Sequence, residues 1–237
     1  MGASKVKGIV LGGTNVKDKD KLLTLFTLEK GKITASMRGV RGDKAKLKSA
    51  KDIFTFGDFV LEEGKNSNIV TAVDVIDNFY GLSQNIEKYY EACAIIDIVS
   101  KVATEEANPQ LFIEIVKSLK ALCYTEVKKY YVINKFLLSI FDFMGYRFVN
   151  DKCSECGASL DMKYLNLNVG ELVCPACRDV DAVQLSNACF SALKLLENTD
   201  YEKLPTIKFG GMGEVQAFNI LCKNFEYRTG FSVLDMV

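Results

Sequence analysis

"KLLTLFTLEKGKITASM", residues 21–37, decides how the first third of the chain is read. The run is rich in Leu, Thr and Phe up to Glu29, turns at Gly31, and resumes with Ile33, Ala35 and Met37 alternating with polar neighbours. That period of two is the mark of a half-buried strand, and a glycine between two such runs predicts a hairpin. Outward from it, "KVKGIVLGG" (5–13) supplies an earlier apolar run. "DIFTFGDFVLEE" (52–63) and "SNIVTAVDVID" (67–77) follow, joined by a connection containing glycine and asparagine. Five strands with short turns and no long helix between them predict a small closed barrel of OB type.

From residue 84 the period changes to 3.6. Ile86, Tyr89, Tyr90, Cys93, Ile96 and Val99 recur at helical spacing. Asn108-Pro109 is a helix start, followed by a stripe of Leu111, Phe112, Ile115, Val116 and Leu119. A third helix is expected from Val127 to Met144, ending at Gly145, and two more near 186–197 and 212–229. "FGGMGEV" (209–215) lacks the Lys-Ser/Thr of a phosphate-binding loop and reads as a helix entry. The expected fold class is α+β, multi-domain. A five-stranded OB-type barrel over 1–80 precedes an α-helical domain over 81–237, which carries an insert at 150–180.

That insert contains Cys153-x-x-Cys156 and Cys174-x-x-Cys177, separated by seventeen residues. Two thiolates three apart on a tight turn can share one tetrahedral ion, and two such turns close the site. Four sulfur ligands leave no open position, so the expected cofactor is a structural Zn2+, with an iron–sulfur cluster as the other occupant of such a set. "KYLNLNVGELVC" between the pairs alternates as a short hairpin does. The single cysteines Cys93, Cys123, Cys189 and Cys222 fall on apolar helix stripes and are assigned to packing.

The chain contains no histidine, which excludes a Ser-His-Asp triad, a Cys-His dyad and any imidazole metal ligand. The neighbouring acid pairs Glu62-Glu63 and Glu105-Glu106 do not face one another on a helix or strand, so no acid–base pair is assigned and no catalytic residue is expected. The apolar fraction of 49% with three prolines describes a packed soluble protein. No apolar run is long enough for a membrane span, and the N-terminal one is too short for a signal peptide. The expected location is the cytoplasm, where a disulfide framework is disfavoured.

The zero net charge hides an asymmetry. Residues 1–51 carry 13 Lys/Arg against 4 Asp/Glu, and the rest of the chain carries 17 against 26. "RGVRGDKAKLKSAK" (38–51) places Arg38, Arg41, Lys44, Lys46, Lys48 and Lys51 within fourteen residues. Cations on a glycine-containing loop beside a barrel can track a phosphate backbone without reading bases, so these six are the expected DNA-binding residues. The plainer reading of such a run is a solvated surface.

"GIVLGGTNVKDKDKLLTLFTLEKGKITASMRGVRG" (8–42) and the four-cysteine insert resemble the RecO family of bacterial recombination mediators, and the resemblance covers essentially the whole chain. Arg38-Gly39-Val40-Arg41 matches that family's basic loop. The resemblance implies an OB-fold, a helical domain with zinc, and binding and annealing of single- and double-stranded DNA. It further implies work with RecR, RecF and single-strand-binding protein to load a RecA-type recombinase, in the bacterial cytoplasm at the nucleoid. A non-enzymatic mediator is the reading adopted. Two others stay open: a thiol oxidoreductase using the Cys-x-x-Cys pairs, and a zinc-ribbon interaction module without annealing activity.

Overall fold

A computed structural model of the chain describes residues 2–16, 19–40, 50–64, 68–146, 148–209 and 212–234. Five strands, β1 (Ala3–Val16), β2 (Asp20–Thr27), β3 (Gly31–Met37), β4 (Phe56–Glu63) and β5 (Asn68–Asp77), close in the order β1-β2-β3-β5-β4. β1 pairs antiparallel with β2 along one edge and with β4 along the other. The ring is completed by a short parallel match of β3 with β5 at Ala35↔Asn68 and Ser36↔Ile69. This is the OB-type topology expected from strand count and spacing.

The alternation read in the sequence points one residue set inward. Val6, Val10, Leu23, Leu25, Ala35, Met37, Phe59, Leu61 and Val70 fill the barrel. β1 is longer than the apolar run suggested and accommodates its length with a bulge, the register slipping between Val10 and Gly12. Beyond the slip, Gly12 and Thr14 face outward opposite Thr24 and Leu22.

The chain forms two compact units, residues 1–81 with 96–113, and residues 82–95 with 114–237. In the first, the 96–113 segment closes over the bottom of the β2–β3 hairpin. The Lys32 backbone N–H donates to the Thr104 carbonyl at 2.7 Å, and Phe112 lies against Phe26 and Phe56 with ring centroids 6.0 and 6.1 Å away. Gly31 sits at φ +64°, and a Cβ there would run into the carbonyls of Thr104 and Glu106. The hairpin turn therefore needs glycine for its backbone angle and for this close approach.

The helices are α1 (Ile86–Val102), α2 (Pro109–Tyr124), α3 (Tyr131–Phe143), α4 (Asn187–Glu197) and α5 (Gly213–Thr229). Asn108 caps α2 as expected, its side-chain oxygen accepting from the Leu111 N–H at 3.0 Å. Two expectations need correcting. Ile86 and Tyr90 on α1 are exposed, and burial on this helix begins only at Glu91. α3 starts at Tyr131, not Val127, because Tyr130 adopts the left-handed conformation at φ +70°. The Tyr130 N–H is taken up by the Glu91 carboxylate at 2.6 Å, and its ring stacks on Phe218 at 4.5 Å. Gly145 (φ +86°) ends the helix as read. In the same unit α4 and α5 approach so closely that a Cβ on Gly213 would strike the Ala188 carbonyl.

Glu91 is 2% exposed. Burial pushes its carboxyl up to about 7, against the opposing pull of the Tyr130 N–H and of Lys129 and Lys88, with Glu87 adding to the rise. The folded state thus holds a proton that the unfolded chain releases near 4.5. The folded form binds more protons between those two values, so stability falls as pH rises from about 4.5 to 7, by up to about 3 kcal/mol. Glu91→Gln keeps an acceptor for Tyr130 and should flatten that decline in urea melts taken from pH 5 to 8. A mutant curve parallel to that of the unaltered chain would show that Glu91 is not the titrating group.

Candidate metal centre and nucleic-acid interface

The cysteine insert folds as two turns beside a three-stranded sheet, β7-β6-β8, made of β6 (Lys163–Asn166), β7 (Glu171–Val173) and β8 (Val183–Leu185). The hairpin read from "KYLNLNVGELVC" is β6–β7; β8 adds a third strand that its three residues gave no period to reveal. The first turn closes with the Gly157 N–H on the Cys153 carbonyl at 2.9 Å, with Gly157 at φ +73°. The second closes with the N–H groups of Cys177 and Arg178 on the Cys174 carbonyl, both at 3.1 Å. The Ser154 N–H donates to the Leu172 carbonyl at 3.1 Å and ties the first turn to β7.

These turns bring the Sγ atoms of Cys153, Cys156, Cys174 and Cys177 within 4.8 Å of one another. The Cys156 and Cys174 sulfurs are 3.8 Å apart. Four sulfurs bound to one ion at about 2.3 Å occupy tetrahedron corners about 3.8 Å apart, so the donor set fits a single ion. A cluster with several irons and bridging sulfides needs its cysteines more widely spread, and this geometry does not suit it. Burial alone raises the Cys153 thiol, but N–H groups of Cys156, Cys174 and Glu155 aimed at its sulfur outweigh that and bring it down to about 6. Hydrogen bonding with the Cys156 and Cys174 side chains pushes the Cys177 thiol up to about 12.

A feature the sequence did not announce holds this insert in place. Arg228, near the end of α5, donates to the Leu167 carbonyl at 2.8 Å and to the Tyr146 hydroxyl at 3.0 Å, and stacks over the Tyr146 ring. Gly170 (φ +78°) leaves the room that guanidinium occupies. The Tyr227 hydroxyl reaches Asn168 at 2.6 Å. The β6–β7 turn is therefore clamped from α5, some sixty residues on. Of the four single cysteines, Cys189 and Cys222 are buried, and Cys93 and Cys123 are partly so.

On the barrel, Arg38 follows β3 directly and is exposed. The Gly39 N–H donates to Asp20 at 2.8 Å, and the Lys21 ammonium donates to the Lys51 carbonyl at 2.7 Å. Val40 and Ala50, within the basic stretch, are both buried in the barrel core. Arg41, Lys44, Lys46 and Lys48 lie outside the described residues. Lys5 and Lys7 on β1 are occupied with Asp58, at 2.9 and 2.7 Å. Their hydrogen bonds hold the Asp58 carboxyl below its ordinary value. Among the described residues no helix is long and apolar enough to cross a membrane.

Comparison with known proteins assigns both parts. Residues 1–79 match the family model for the N-terminal part of recombination protein O, and residues 83–230 match the model for its C-terminal part. The chain belongs to the RecO family. DNA repair protein RecO of Caldanaerobacter subterraneus subsp. tengcongensis is 29% identical over 220 residues, covering 92% of this chain and 89% of the relative. The protein of that name from Thermoanaerobacter sp. is 28% identical over 211 residues, covering 88% and 85%, and that from Clostridium perfringens is 29% identical over 201, covering 83% and 81%. Within this RecO-family chain, the barrel with the basic stretch is the N-terminal match and the cysteine insert lies in the C-terminal one.

Metal analysis of the purified protein should find one ion per chain. Chelation should make four further thiols reactive and lower the melting temperature, and Cys174→Ser should bring the stoichiometry below one. A thiol count unchanged by chelation would contradict the closed four-sulfur site.

Proposed function

We propose that this chain is a recombination mediator of DNA repair that acts by binding and not by catalysis. The observation that carries the reading is an OB-type barrel, matched by the family's N-terminal model, whose sequence carries six cations over residues 38–51, with Val40 and Ala50 of that stretch buried in the barrel core. Arg38, Arg41, Lys44, Lys46, Lys48 and Lys51 contact phosphates of single- and double-stranded DNA. Each neutralised phosphate releases counterions, which supplies affinity without reading sequence. Bound strands are annealed to their complements, and a RecA-type recombinase is loaded where single-strand-binding protein coated the DNA. The proposed partners are RecR, in some members RecF, and single-strand-binding protein, in the bacterial cytoplasm at the nucleoid.

The metal in this reading is Zn2+, which suits a closed tetrahedral set of four thiolates and brings no redox chemistry. Cys153, Cys156, Cys174 and Cys177 would hold it as a structural staple. Sulfurs gathered on one ion are not available for dithiol exchange, which speaks against the oxidoreductase alternative. A zinc-ribbon interaction module without annealing activity leaves the barrel and its cations without a role.

Oligonucleotide affinity should fall steeply between low and physiological salt. Arg38→Ala should weaken binding several-fold for every sequence tried, and lower the slope of log affinity against log salt by about one. Salt-independent binding, or a loss confined to one sequence, would contradict contact with the phosphate backbone.

A further inference from the structure

Every aromatic residue of the barrel is accounted for. Residues 1–81 contain Phe26, Phe54, Phe56, Phe59, Phe79 and Tyr80. The five phenylalanines are 7% exposed or less, with Phe26 and Phe56 covered by Phe112. Tyr80 is exposed but lies beyond β5, in the 3-10 turn Tyr80–Gln84. The outward face of β1–β2–β3 is built differently. Register places Thr14, Leu22 and Ser36 in one row across the three strands and Gly12, Thr24 and Thr34 in the next. Gly12, Thr24 and Thr34 line a groove of about 780 Å³ together with Lys32 and Asn68. Along β3 this side carries Lys32, Thr34 and Ser36 and runs on to Arg38.

An OB barrel that sequesters single strands does so by stacking bases on exposed aromatic rings. Here the described face offers hydroxyls, an amide, Leu22 and the Lys32 ammonium, which donates to the Ser100 carbonyl at 2.8 Å, with Glu105 also lining the groove. The hydroxyls, amide and cation are phosphate and sugar ligands, and the face carries no ring. We propose that this face holds a nucleic-acid strand by its phosphates and sugars alone, with the bases turned away from the protein and free to pair. The inference rests on the DNA-binding reading above and adds the mode of binding. A strand held this way presents its pairing edges to a complement and can stack into a duplex without first leaving protein rings, which favours annealing.

The test compares two probes on the full chain by fluorescence anisotropy at one salt concentration. One is a mixed-sequence single strand, the other an abasic phosphodiester oligomer of equal length. A single stacked base is worth roughly fivefold or more in affinity. The two probes should therefore bind within fivefold of each other; a larger loss on removing the bases overturns the proposal. The double variant Thr24→Val, Thr34→Val keeps the β-branched shape and removes two hydroxyls. It should weaken both probes several-fold and equally, and unchanged affinity would show that the strand lies elsewhere. Thr34→Tyr, which plants a ring on the face, should favour the base-bearing probe over the abasic one by at least fivefold, and equal binding of the two would contradict the assigned path. If the chain binds neither probe, the DNA-binding reading fails with it, whereas binding of the base-bearing strand alone sinks only the mode.

Discussion

The closing of five strands around one apolar set is the constraint on which the N-terminal unit depends. Leu23, Leu25, Ala35, Met37, Phe59 and Leu61 reach the same interior only because β1 pairs along both edges and β3 meets β5. Once they are inside, the period of two sends Thr24, Thr34 and Ser36 to the opposite face with no freedom to choose. The same closure buries Val40 and Ala50, fixing both ends of the basic stretch on the barrel. A slip of one residue in β2 or β3 would expose the leucines and bury the hydroxyls, so core and hydroxyl face stand or fall together.

The second unit rests on a comparable local logic. Tight turns at Gly157 and Cys174 aim four sulfurs at a common point, and the hairpin between them is held by Arg228 and Tyr227. An insert of some thirty residues with two short strands has little core of its own, and a metal held by the four sulfurs would supply what packing does not. The clamp from α5 then makes the insert part of its unit, not a loose appendage.

Much of this was legible in the sequence, for reasons that differ from element to element. The Cys-x-x-Cys spacing states its geometry outright, since the ligand and the turn are encoded within a few residues. The barrel strands announce themselves by alternation and the helices by their 3.6-residue stripes. Where reading fell short, a distant contact decided the matter. The left-handed Tyr130 that delays α3 depends on Glu91, some forty residues earlier. Arg228 has no local signal that it belongs to the insert. The hydroxyl face is assembled from three strands whose register no single stretch contains, so Thr24 and Thr34 gave no hint beside the conspicuous lysines.

On the proposed reading, a barrel that grips phosphates and leaves bases exposed lets this RecO-family chain bring strands together. It is tested most directly by the annealing rate of complementary DNA strands coated with single-strand-binding protein, with and without the chain. The chain should bring a marked acceleration that declines as salt is raised, in step with the loss of binding. Binding to the coated strands with no acceleration of annealing would contradict it.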